Sequence, residues 1–210
     1  SVAERDDERG VAHFVEHMGF KGTERFDHGE LIKKLEALGC KYGQHLNAHT
    51  GQFETVYKLS VPVSHETVEA RVASALAILR EWAAHVRVSD EDVETERRVI
   101  EEEWRSKNGP QRRVLHKYWA KVFGDGGATL IAERMPIGLV DVIRRCPAAT
   151  IRAFYKRWYR PENMAVVVVG DFDDCCAEGD GARWVERALA DAFASVPRTP
   201  DAERVALPVA

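Results

Sequence analysis

Apolar residues along this chain follow two rhythms. Over Val11–Phe20 and again over Gly29–Leu38 they recur every three or four positions, and in the second stretch Leu31, Ile32, Leu35 and Leu38 form one stripe that stops at Gly39. Such spacing places them on one face of a helix, with glycine as a natural terminator. Lys21-Gly22-Thr23 breaks the first of these helices. The rhythm then changes to alternation: Phe53, Thr55, Tyr57, Leu59 and Val61 predict a half-buried strand over Gln52–Val61, closed by Pro62, with a companion over Lys41–Ala48. Helical spacing returns over Glu66–Val86 through Val68, Val72, Leu76, Leu79 and Trp82. Ser89, with Asp92 three residues on and acidic residues crowding the first turn, opens a further helix to about Lys107, which Asn108-Gly109-Pro110 ends. Helices are also predicted over Gln111–Val122, Pro147–Tyr159 and Ala182–Val196, with a loop at Gly124–Gly127 and a turn at Met135–Gly138. Met164–Val169 is the longest uninterrupted apolar run, and its β-branched content predicts a buried strand over Met164–Gly170. These elements describe an α+β unit.

Composition narrows the function classes. The chain has 210 residues, is 45% hydrophobic and carries 30 Lys+Arg against 34 Asp+Glu, for a net charge of −4. It can build a sizeable core, and it has no basic excess with which to neutralise a phosphate backbone, so nucleic acid is excluded as the main partner. The longest apolar run falls far short of the roughly 20 residues that a membrane span requires. No signal peptide is visible and Ser1 is not an initiator methionine, so the chain is expected to begin inside a longer polypeptide or after processing. Cys40, Cys146, Cys175 and Cys176 make no C-x-x-C pair and are expected to be free thiols.

The chemistry lies on the first helix, where His13, Glu16 and His17 spell H-x-x-E-H. Residues four apart project from one helix face, so both imidazoles can reach one ion and the carboxylate can reach water beside it. In a chain this rich in His and Glu the pattern arises by chance on the order of a few per cent of the time. Catalytic zinc takes about three protein ligands, so a third is required. The Ser89–Lys107 helix supplies candidates. At about 100° per residue, Val93, Ile100 and Trp104 fall in one narrow sector, and Glu96 and Glu103 lie between it and Val99. Glu94, Glu101 and Glu102 point away. Two inward carboxylates need partners, either a metal and its histidines or Arg and Lys of a neighbouring helix.

Gly10-Val11-Ala12-His13-Phe14-Val15-Glu16-His17-Met18, followed by Phe20-Lys21-Gly22-Thr23, resembles the zinc-site helix of the pitrilysin family, the inverted zincins that include insulin-degrading enzyme and the mitochondrial processing peptidase. Glu96-Arg97-Arg98-Val99-Ile100-Glu101-Glu102-Glu103-Trp104 resembles the family's second motif. Leu46-Asn47-Ala48-His49-Thr50, Pro136-Ile137-Gly138-Leu139, Tyr159-Arg160-Pro161-Glu162-Asn163-Met164 and Val169-Gly170-Asp171 extend the likeness over about residues 1–172, with wording similar to PqqL-like and processing-peptidase-like members.

The resemblance implies a fold of antiparallel or mixed sheet covered by helices, the metallohydrolase half-domain of the processing-peptidase and LuxS-like kind. It implies one Zn2+ per chain held by His13, His17 and Glu103, with Glu16 as general base and Glu96 as an acid that orients a ligand. Glu103 follows His17 by 86 residues (103 − 17), farther than in the better-known members, which implies an insertion between them. Glu94 suits the usual spacing better but lacks the motif and lies off the apolar face. Asn47 and Ala48 match the family's edge strand, along which an extended peptide substrate adds as a further strand. His45 and His49, flanking that pair, are expected at the surface.

The expected function is zinc-dependent endopeptidase cleavage of extended oligopeptides or presequence-like segments. The alternative is an incomplete or non-catalytic half-domain that binds zinc and peptide and needs a second homologous half, in cis or in trans, for activity. A structural metal protein would need a fourth protein donor, and no cysteine lies within either motif. Residues 1–196 are expected to form the zinc-bearing unit and residues 197–210 a proline-containing linker. The segment around Cys175 and Cys176 reads as a loop with no assigned role.

Overall fold

The structure, a computed structural model, describes residues 1–41, 43–124, 129–173 and 180–198. Helix α1, Val11–Met18, lies at its centre, and Val11, Phe14, Val15 and Met18 are essentially inaccessible. Gly10 starts the helix with φ of 106°, a left-handed conformation that favours glycine. Around α1 pack α4 (Asp90–Lys107), α8 (Ala148–Trp158) and the hairpin of β1 (Leu46–Thr50) and β2 (Thr55–Leu59).

The two strands pair antiparallel with Leu46 opposite Leu59 and Thr50 opposite Thr55. This two-stranded ladder, backed by helices, is the antiparallel sheet that the sequence leads one to expect. Both strands are shorter than predicted. Ahead of Leu46 the backbone is used in turns, with His45 N–H donating to Lys41 O and Gly43 N–H to Leu46 O, and Gly43 sits at φ +80°.

Helices α2 (His28–Ala37), α3 (Val68–Ala84), α5 (Pro110–Gly124) and α9 (Gly181–Phe193) fall where the periodicity predicts them. Ser89 caps α4 by accepting from Asp92 N–H at 3.0 Å. Two short helices, α6 (Thr129–Glu133) and α7 (Val140–Arg145), were not predicted, because five or six residues are too few to display a period. Val68, Val72 and Leu76 of α3 form a second apolar cluster with Trp184, Ala188 and Leu189 of α9.

The strand predicted over Met164–Gly170 is a correction. The segment is extended at Met164 (φ −119°, ψ 152°), and its side chains alternate between half-buried and exposed, but it joins no ladder among the described residues. An apolar run supplies the conformation of a strand, whereas the ladder needs a neighbouring strand to exchange hydrogen bonds with. Val167 and Val169 are consequently 79% and 90% exposed. Cys40 and Cys146 are buried free thiols, as expected. Cys175, Cys176 and residues 199–210 of the expected linker lie outside the described residues, as does most of the predicted Gly124–Gly127 loop. Among the described residues no helix is long and apolar enough to cross a membrane.

Candidate metal centre

One turn of α1 separates His13 from His17, so their rings meet edge to face with centroids 4.6 Å apart. Their Nε2 atoms approach to 3.2 Å. Glu103, projecting from α4 across the α1–α4 contact, brings Oε2 to 3.5 Å from His13 Nε2 and 3.3 Å from His17 Nε2. Among the described residues these three form the group of His, Cys, Asp and Glu that can hold a metal ion. The triangle has a telling size. A tetrahedral ion with bonds of about 2.0–2.1 Å spaces its ligand atoms about 3.3 Å apart. Two imidazole nitrogens and one carboxylate oxygen at that spacing fit zinc in both chemistry and geometry.

Each donor is held from behind, with one exception. His17 Nδ1 meets Glu96 Oε1 at 2.8 Å, and Glu96 Oε2 forms an ion pair with Lys21 Nζ at 2.6 Å. Lys107, one turn beyond Glu103 on α4, pairs with Glu103 Oε1 and leaves Oε2 toward the histidines. His13 Nδ1 is buried without a hydrogen-bond partner among the described residues, so no polar group holds that ring from behind. Glu16 is buried beside the cluster, and its Oε2 accepts a hydrogen bond from Thr50 Oγ, at the end of β1, at 2.6 Å.

The charges are strongly coupled. Burial opposes a proton on His17, but Glu103 and Glu96 outweigh it and lift that imidazole to about 9. Burial and the neighbouring His17 charge push His13 down to about 4. Contact with His17, which outweighs burial and is reinforced by Lys107, holds Glu103 down at about 2. Burial raises Glu16, with Thr50 opposing. Glu96 is lowered, since His17 and Lys21 overcome its burial. The metal-free cluster is thus a protonated His17 clasped by two carboxylates, with His13 neutral.

His13, Glu16 and His17 of α1 and Glu96 and Glu103 of α4 come together here. Glu94 points away, 70% exposed and paired with Arg97 at 2.7 Å. Glu96 and Glu103 each also pair with a lysine, but not one of a neighbouring helix as the competing reading had it: Lys21 lies in the loop after α1 and Lys107 on α4 itself. Asn47 and Ala48 lie on β1, away from the triangle. Asn47 is exposed, its Oδ1 accepting from Ala48 N–H at 2.9 Å. They share that strand with Thr50, which touches Glu16. His49 is half exposed and His45 Nδ1 accepts the Lys41 N–H.

Sequence reasoning missed Lys21, Thr50, Lys107 and Glu4. Lys107 carried a local signal, the i+4 spacing from Glu103 on one helix. Glu4 is 4% exposed, and its carboxylate accepts the Gly10 and Ala12 N–H groups at 3.0 and 2.8 Å, covering the start of α1. Neither its six- and eight-residue offsets nor the contacts of Lys21 and Thr50 with distant elements follow a helical or strand period.

Comparison with known proteins identifies the family. The sequence model of the family described as Insulinase (Peptidase family M16) matches residues 1–124, and that of the Peptidase M16 inactive domain matches residues 146–179. A protein of Arabidopsis thaliana named Zinc protease PQQL-like is 44% identical over 174 residues, which are 83% of this chain and 18% of that protein. The crystal structure of the periplasmic protease PqqL from Escherichia coli superposes with a TM-score of 0.84 at 34% identity, covering all of this chain and 22% of that one. The separate structure of that protease's first half matches with the same score and identity, with 42% of it covered. The chain therefore spans about a fifth of the length of these full-length relatives.

Proposed function

Because this chain belongs to the insulinase family of peptidases, peptidase family M16, we propose that residues 1–196 form the zinc-bearing unit of a metalloendopeptidase that cleaves extended oligopeptides or presequence-like segments. The observation that carries this reading is the convergence of His13 Nε2, His17 Nε2 and Glu103 Oε2 at 3.2–3.5 Å. These three would hold one Zn2+, which would supply the Lewis acidity that acidifies water and polarises a peptide carbonyl.

The protein's own groups divide the remaining work. Glu16 takes the proton of the attacking water and later delivers it to the leaving amine. Its burial raises its proton affinity toward that task, while the Thr50 hydroxyl fixes one carboxylate oxygen and leaves the other for transfer. Glu96 holds the Nδ1 proton of His17, so that Nε2 presents its lone pair to the metal. The outer edge of β1, where Asn47 and Ala48 lie, takes the substrate as an added strand. A second homologous half, in cis or in trans, closes the site over the peptide. The inactive-domain match leaves the reading intact, since residues 146–179 contain none of the metal-centre residues.

Metal analysis and peptide cleavage by the full-length polypeptide test this. Glu16→Gln should keep its zinc and lose about 10²- to 10⁴-fold in rate. Glu103→Ala should lose the zinc. Full activity in the first variant, or stoichiometric zinc in the second, overturns the assignment.

A further inference from the structure

Lys21 stands just past the end of α1, on a segment fastened at several points. Its N–H donates to Met18 O at 3.0 Å, Gly22 O accepts Arg87 N–H at 3.0 Å, and Thr23, wholly buried, gives its N–H to Phe26 O at 2.8 Å. Gly22 adopts φ +155°, with Arg87 and Phe26 O so close that an added Cβ would press on them. The backbone at Lys21 is therefore fixed, and its side chain, 19% exposed, has little room to wander. It points at Glu96, a residue with only 6% of its surface accessible. A carboxylate buried to that degree needs a partner for each oxygen. His17 meets Oε1 at 2.8 Å and the Lys21 ammonium forms an ion pair with Oε2 at 2.6 Å, so Glu96 links a loop lysine to an imidazole of the metal triangle.

We infer that Lys21 is a positioning residue for the metal centre, holding Glu96 in the one orientation that keeps the Nδ1–H of His17 engaged and its Nε2 aimed at the ion. The inference rests on the zinc assignment above and adds to it a cation in contact with no metal ligand. Without the ammonium, Oε2 is left buried and unpaired. The carboxyl group then turns toward water, and His17 loses its anchor. Outer partners of metal-bound histidines are worth about 10- to 100-fold in metal affinity, and a group acting one step farther out belongs at the lower end of that range.

The test is a zinc-affinity cycle on the full-length polypeptide, using zinc alone against a chromogenic chelator. Lys21→Met should weaken zinc binding about tenfold. Lys21→Gln, which keeps a polar side chain but removes the charge and shortens the reach, should do the same and guards against a misfolded Met variant. On a Glu96→Gln background the same Lys21 substitutions should change affinity less than about twofold, because the group through which Lys21 acts is gone. Unchanged affinity in both Lys21 variants, or an equal loss on the Glu96→Gln background, overturns the inference. His13→Ala serves as the separate control: if it leaves zinc binding intact the metal assignment itself fails, whereas its loss together with unaffected Lys21 variants refutes only the role of Lys21.

Discussion

His17 carries its proton up to about pH 9 in the metal-free chain because Glu103 and Glu96 together outweigh the penalty of burial. Its folded-state value exceeds the ordinary 6.5, so its contribution to metal-free stability is complete below about 6.5 and is lost as pH rises through about 9. Zinc needs the Nε2 lone pair and must displace that proton. Apparent zinc affinity should therefore climb about tenfold per pH unit from neutrality to about 9, with close to one proton released per zinc at pH 7.5. Calorimetric titration in buffers of different ionisation enthalpy reads this directly, and a proton count near zero would rule it out. This cluster was legible in sequence because its members obey local rules, four residues apart on α1 and seven apart along the inner face of α4. Val99 marks the limit of the phase argument, being 49% exposed although it flanks the inward sector. Lys21 and Thr50 were illegible for the opposite reason, since each reaches its carboxylate across a tertiary contact that no period encodes.

At the scale of the element, the placement of α1 depends on two features at its start. Gly138 lies against Gly10 backbone to backbone with φ +70°, so that a Cβ would run into Arg9 O and Gly10 Cα, and the same turn gives Leu139 N–H to Arg9 O at 3.2 Å. The Pro136-Ile137-Gly138-Leu139 motif thus has a physical account as the seat of the metal helix. Gly138→Ala should cost more than about 2 kcal/mol in chemical unfolding and weaken zinc binding, because α1 must shift to make room. Glu4 is the second feature. Burial raises it to about 7, so its contribution to stability is fully present below about 4.5 and is lost as pH rises through about 7. Glu4→Gln cannot ionise and keeps an acceptor for only one of the two N–H groups, which use different oxygens of Glu4, so its constant loss is separated from titration by comparing the pH dependence alone. Between pH 4.5 and 7 the wild type should lose up to about 3 kcal/mol relative to that variant, measured by denaturant titration at each pH. A parallel pH dependence in the two proteins would show that Glu4 titrates normally. Long helices were readable because each displays several turns of apolar spacing, and α6 and α7 were not because they display barely one. The 164–169 segment misled for a third reason, as its pattern is that of a strand and only the absent ladder distinguishes it.

For the whole molecule, the decisive facts are the share of its relatives that the chain spans and what it leaves bare. It matches 22% of PqqL and 42% of that protein's first half while covering all of its own length in both. Val167, Val169 and, on α5, Val114 and Tyr118 are each more than 60% exposed, which is unusual company for the β-branched and aromatic residues of a folded domain. The metal triangle is complete within 210 residues, since α1 and α4 supply all three donors. On the proposed reading, catalysis asks for more than the triangle, because a peptide must be held in line with Glu16 and shielded from bulk water. On that reading zinc binding and cleavage should therefore separate. Residues 1–210 alone should bind one zinc per chain, with a loss of binding in His13→Ala, yet cleave an extended peptide at least about 100-fold more slowly than the same residues supplied with a second homologous half. The apolar surface of α5 and of residues 164–169 should at the same time make residues 1–210 alone bind a hydrophobic dye that a second half, once seated, excludes. Equal cleavage rates with and without that half at matched zinc content would mean that all the groups needed to position the peptide already lie on α1, α4 and the β1 edge.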